Sequence, residues 1–192
     1  EFTAFYDAVN SAANYLQKNT PQGSRKVIIA ISDGEDTNSE GIRRGFASLE
    51  RTMSAKLDTM TQAERRGVYS QKRNEIRGTE QINSVRFLQN ADTVFYSINP
   101  AGSSYQLNLI SQFGQSNLQK FADETGGTAF LPKFAPIDLK DRLQNAVNAR
   151  RNQFILTSIF QQLANELQAQ YLVQYYSEGK FPPNKYVKLN VN

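Results

Sequence analysis

Three carboxylates crowd four consecutive positions, Asp33-Gly34-Glu35-Asp36, and Thr3 stands far upstream at the head of a helical pattern. Carboxylate and hydroxyl oxygens are the ligands that hard divalent cations prefer. Clustered carboxylates are also candidates for acid–base catalysis, but such work needs a partner group. The chain has no His and no Cys, so thiolate nucleophiles are removed, and serine-type triads, imidazole-built zinc sites and the usual neutral-pH general base lose their commonest residue. An acid–base pair would have to arise within Asp33, Glu35 and Asp36, and no residue pattern supplies the base. The chain therefore reads as a binding protein and not as an enzyme. Asp36-x-Asn38-x-Glu40-Gly41 also matches the start of a calcium loop, yet the twelfth position is Ala47 and a strand pattern precedes it. We read that match as accidental.

A second group of chemistry-bearing residues is basic. Ten Lys or Arg against five Asp or Glu fall between Gly41 and Asn90, whereas the remainder of the chain holds twelve and thirteen. The formal charge of +4 thus belongs to one segment. Arg43, Arg44, Arg65, Arg66, Lys72, Arg73 and Arg77 could face nucleic acid, an acidic protein or lipid headgroups. Alternatively they form the solvated side of a helical hairpin, interleaved with Glu50, Asp58, Glu64, Glu75 and Glu80. No aromatic stacking pattern accompanies the charge, so the solvated face is the preferred reading and nucleic acid is not an expected partner.

These residues need a scaffold, and 192 residues suffice for one domain with a sizeable core. The hydrophobic fraction is 39% and the mean hydropathy −0.56, a modest core under polar surfaces. No apolar run approaches membrane-spanning length. Phe5, Val9, Ala12, Ala13 and Leu16 recur at helical spacing, with Thr3 as the expected N-cap. Lys26 to Ser32 is an apolar run that suits a strand buried on both faces, delivering Asp33 to the rim of a sheet. Ile42, Phe46, Leu49, Met53, Leu57 and Met60 step at heptad-like spacing, Gly67 is the expected breaker, and a second helix follows through Leu88. Thr93 to Ile98 is a second strand, Leu118 to Ala122 marks a short helix closed by Gly126-Gly127, and Thr128 to Leu131 is a short strand. A long helical stretch runs from about 138 to 169, with a bend or break expected at 150–153. Tyr171 to Tyr176 and Tyr186 to Val191 are expected to form a terminal antiparallel hairpin. Strands alternating with helices predict an α/β fold with a doubly wound, mainly parallel sheet.

The order of these segments resembles the von Willebrand factor type A domain, in a bacterial branch of that family. The resemblance rests on Thr-Ala-Phe-Tyr-Asp-Ala-Val (3–9), Val-Ile-Ile-Ala-Ile-Ser-Asp-Gly-Glu-Asp-Thr (27–37), Ala-Asp-Thr-Val-Phe-Tyr-Ser-Ile (91–98), residues 118–130 and residues 164–176. It implies one Rossmann-like domain over 1–192, with helical insertions at about 41–90 and 138–169. The family opens with a strand ending in Asp-x-Ser-x-Ser, and that motif is missing here. The start reads as a cut or processed one, and the absent strand is expected from elsewhere in the polypeptide, from another chain, or from altered topology.

The resemblance further implies a metal-ion-dependent adhesion site in which Thr3 and Asp33 are ligands to Mg²⁺ or another divalent cation. The remaining Asp and two Ser ligands have no counterpart, so the implied site is partial and its occupancy low. The bland alternative is that Thr3 only caps a helix and Asp33-Gly34 only turns the chain. The implied partner is a protein offering an acidic side chain, and the resemblance favours an extracytoplasmic setting. A metal-free scaffold assembling through its long helices is the alternative function.

Overall fold

The computed structural model describes residues 2–54, 60–102, 108–136 and 140–169. Its elements are α1 (Phe5–Asn19), β1 (Lys26–Ile31), α2 (Glu40–Ser54), α3 (Gln62–Asn90), β2 (Thr93–Ile98), α4 (Leu109–Thr125), β3 (Ala129–Phe130) and α5 (Arg142–Gln168). The class is α/β. Three parallel strands lie in the order β1-β2-β3, with Lys26 opposite Thr93 and Ile98 opposite Phe130. The expected hairpin at 171–191 lies outside the described residues.

Alternation along the strands divides the core between two faces. On one face Phe95, Ile28, Ala30 and Ala129 pack with Phe5, Val9, Leu88, Leu118 and Phe121 from α1, α3 and α4. Phe95 and Phe121 meet edge to face at 5.5 Å between centroids, and Phe5 stacks on Phe121 at 5.8 Å. On the other face Tyr96, Ile98, Val94, Val27 and Phe130 receive Ile159 and Leu163 of α5. Helices therefore cover both faces, as the alternating pattern requires.

The structure corrects four local expectations. β1, expected to be buried on both faces, leaves Ile29 and Ile31 exposed; it lies at one edge of the described strands, and β2, between β1 and β3, is buried almost throughout. An unbroken apolar run does not reveal whether a strand has one neighbour or two. α3 begins at Gln62 and runs straight through Gly67, because Thr61 and Glu64 close a reciprocal capping box upstream of it. A helix-interior glycine costs about 1 kcal/mol, too little to end a capped helix. α4 is longer than the short helix expected, since Asn108 caps it by accepting the Ser111 N–H at 3.0 Å. Its other end is as expected, with Gly126 in the left-handed conformation. α5 passes through 150–153 without a break. There Asn152 clamps the preceding segment, accepting from Ala135 N–H at 2.8 Å and donating to Ala135 C=O at 2.9 Å.

α2 and α3 lie against each other within the segment read as an insertion. A Cβ on Gly45 would meet Ile76 Cγ2 at 2.6 Å, so the two helices approach through that glycine.

Candidate functional site at the carboxyl rim of β1

β1 ends at Ile31, and the Ser32 N–H still reaches Ile98 C=O at 3.1 Å, so the chain leaves the sheet only after Ser32. The following turn is built from its own side chains: Gly34 N–H donates to Ser32 Oγ and Glu35 N–H to Asp33 Oδ1, each at 3.0 Å. These are short Ser- and Asx-type turns, the local chemistry that polar residues offer after a strand. Gly34 has φ +74°, and a Cβ there would lie 2.7 Å from Leu118 Cγ. Gly114 of α4 meets the same turn from the other side, where a Cβ would sit 2.6 Å from Asp33 C=O oxygen. Two glycines thus let the loop and α4 touch backbone to backbone.

A buried polar network fixes the loop from beneath. Asn117 donates to Gly34 C=O at 2.8 Å and accepts from Tyr6 OH at 2.9 Å and from Gln81 Nε2 at 2.8 Å. Burial pushes the Tyr6 phenol well above its ordinary pKa, against the opposing pull of its hydrogen bond to Asn117. Glu35 accepts from Ser111 Oγ of α4.

Asp36 has a different role from its neighbours. It is buried, and its carboxylate accepts from Tyr6 N–H (2.8 Å) and Ser39 Oγ at one oxygen, and from Asn38 N–H (3.1 Å) and Ser39 N–H (3.0 Å) at the other. A carboxylate has about four lone-pair sites, and all four are occupied. Thr3 is correspondingly not the cap of α1. Ala4 holds that position without a side-chain bond, and the orphan N–H groups of Tyr6 and Asp7 are met by Asp36 and by Ser39 Oγ. The exchange is mutual: Asp7 of α1 accepts the Glu40 N–H at the start of α2 (2.9 Å). Spacing within the helix pattern could not reveal a cap borrowed from another loop; Asp36-x-x-Ser39 was the available signal.

Thr3 joins this rim through its backbone. It donates to Thr37 Oγ1 at 3.0 Å and its carbonyl accepts from Thr37 and Asn38 N–H, both at 2.9 Å. Thr3 and Ser32 line one groove beside β1, so Thr3 and the Asp33 turn share the same end of the sheet, and both residues are exposed. Whether they could hold a cation is decided by the donor set. Mg²⁺ seeks six oxygens and usually takes one or two carboxylates plus water or substrate oxygens. Asp36 is saturated, Glu35 is engaged by Ser111, and no three His, Cys, Asp or Glu among the described residues form a metal-holding group. Asp33 and Thr3 alone do not amount to a complete ion site.

No helix among the described residues is long and apolar enough to cross a membrane. Comparison of the chain with protein-family models, with curated proteins and with solved structures gives no match.

Proposed function

We propose that this chain is a protein-interaction module of the von Willebrand factor type A kind, gripping its partner along the flank of β1 that no described strand covers and the rim at its end. One observation carries the reading. Ile29 and Ile31, 46% and 67% exposed, lie on an edge strand that no described strand covers. Beside it runs a groove of about 470 Å³ between α1 and β1, ending at Thr3 and Ser32. An uncovered edge offers backbone N–H and C=O groups to an incoming extended segment, and the side pockets read its alternate residues. In this reading Thr3 and Asp33 form a polar anchor at the groove's end, the remnant of the ion site that the sequence resemblance implies.

The test uses a peptide of alternating Val and Thr, matched to β1 in length, and hydrogen exchange read residue by residue. Bound peptide is expected to slow exchange at alternate β1 amides, and Ile31→Lys is expected to abolish that protection while leaving the melting temperature unchanged. Unaltered β1 exchange at saturating peptide would overturn the proposal.

A second reading, a scaffold assembling through its helices, is favoured by the outer face of α5, where Leu143, Val147 and Phe154 are 85%, 61% and 76% exposed. It expects a mass that rises with concentration in sedimentation and returns to the monomer value in Phe154→Asp.

A further inference from the structure

We propose that the groove between α3 and the start of α4 binds a small oligophosphate, a site independent of the β1 rim. The groove measures about 600 Å³, within the range of small-molecule sites. Its wall carries Arg65, Arg66, Tyr69, Arg73, Asn74 and Arg77, and no Asp or Glu lines it among the described residues. Arg66, Tyr69, Arg73 and Arg77 follow one another at helical intervals along a single face of α3. At 1.5 Å per residue they span about 16 Å, so the positive charge forms a row.

The carboxylates of α3 are directed elsewhere. Glu75 pairs with Lys72, Glu64 closes the capping box with Thr61, and Glu80 lies against Gly41. Arg66, Arg73 and Arg77 take no part in the ion pairs Lys26–Asp92, Arg44–Glu40 and Lys72–Glu75. Like charges held side by side repel one another, and at Arg77 the carboxylate of Asp36 offsets part of that repulsion. Burial and the neighbouring Arg73 already disfavour the charge on Arg77. Arg77 Nε is buried with no hydrogen-bond acceptor.

The guanidinium groups are nevertheless held in place. Arg73 and Arg77 lie over the Phe46 ring at 4.9 and 5.4 Å, and Arg77 is 5.8 Å from the Phe113 ring. Arg65 Nε donates to Met60 C=O at 3.0 Å. Cation–π contact fixes a guanidinium plane while leaving its edge donors for a ligand. The lining cations are all Arg and none is Lys. Planar forks of this kind match phosphate oxygens two at a time. Phosphate also supplies more charge per volume than carboxylate, which suits Arg66, Arg73 and Arg77 gathered along one small cavity.

Calorimetric titration of the whole chain with sodium tripolyphosphate at low salt tests the site. We expect saturable one-to-one binding, weakened about tenfold by either Arg66→Gln or Arg73→Gln, as for loss of one charge-assisted hydrogen bond. Both side chains are exposed, so the variants should keep the melting temperature. Arg86→Gln, outside the groove with the same loss of charge, should bind as the parent does. Two arms distinguish the source of the phosphates. Equal affinity for tripolyphosphate and adenosine triphosphate assigns a free phosphate chain; tighter nucleotide binding, lost in Tyr69→Ala, assigns a nucleotide stacked on that ring. Absence of saturable binding, equal weakening by Arg86→Gln, or tighter binding of an oligoglutamate peptide or an oligothymidine strand would each overturn the proposal.

Discussion

The carboxylate of Asp36 closes the first turn of α1 from outside that helix: its Oδ2 accepts the Tyr6 N–H at 2.8 Å across thirty positions of sequence (|i−j| = 30). The same oxygen receives Ser39 Oγ, while Asp7 on α1 returns a bond to the start of α2. Helix start, strand end and following helix are therefore joined through one loop. A charged acceptor at a helix N-terminus gains from both the unmet N–H groups and the local dipole.

Asp36→Ala should consequently destabilise the chain by about 2–3 kcal/mol, combining loss of a cap with several orphaned buried donors. Asp33→Ala, which removes an exposed side chain with one local bond, should stay within about 0.5 kcal/mol. Urea unfolding midpoints at equal slope compare the two. Equal midpoints would show that Asp36 does not organise the rim.

Tyr6 gives a pH prediction. Its pKa in the fold lies above the ordinary value of 10.0, chiefly because burial penalises the phenolate. The raised folded pKa means its stabilising contribution is fully present below about pH 10 and declines as pH rises beyond it, where only the unfolded chain ionises. Stability should then fall by up to about 1.4 kcal/mol per pH unit from this group. Tyr6→Phe should lower stability at pH 7 through loss of the Asn117 bond, and should flatten the alkaline decline by up to one proton. An unchanged slope above pH 10 would exclude Tyr6 as its source.

The contact between the Asp33 turn and α4 depends on two glycines. Gly34→Ala places a Cβ at positive φ and against Leu118, while Gly114→Ala drives one towards Asp33 C=O. Each should cost about 2–4 kcal/mol, from backbone strain or overpacking. Gly67→Ala is the comparison, because a Cβ there meets nothing within 4 Å and the site is helical. It should stabilise by about 0.5–1 kcal/mol. Thermal melts of the three variants suffice, and a neutral Gly34→Ala would contradict the close approach.

Magnesium should have little effect. With Thr3 and Asp33 as the donors available among the described residues, millimolar Mg²⁺ is expected to raise stability by less than about 0.5 kcal/mol, the value reached when concentration roughly equals Kd. A larger rise that vanishes in Asp33→Ala would establish a filled ion site.

Much of the secondary structure was determined by sequence. The apolar runs at 26–31 and 93–98, the helical spacing from Phe5 to Leu16 and the Gly126 cap each specify their element through local sterics and periodicity, which operate within a few residues. The parallel arrangement followed from alternation of the two patterns. Tertiary structure alone decided that, among the described strands, β2 lies inside while β1 forms an edge, because an apolar strand presents the same pattern with one neighbour or two. It also decided which carboxylate is structural. Asp33, Glu35 and Asp36 are chemically alike along the chain, and only the meeting of the loop with α1 and α4 saturates Asp36, engages Glu35 with Ser111 and leaves Asp33 at the surface. The row of arginines on α3 was readable as charge. That Phe46 and Phe113 gather it into a groove lined by no described carboxylate depends on helices from three parts of the chain, a relationship that no local spacing encodes.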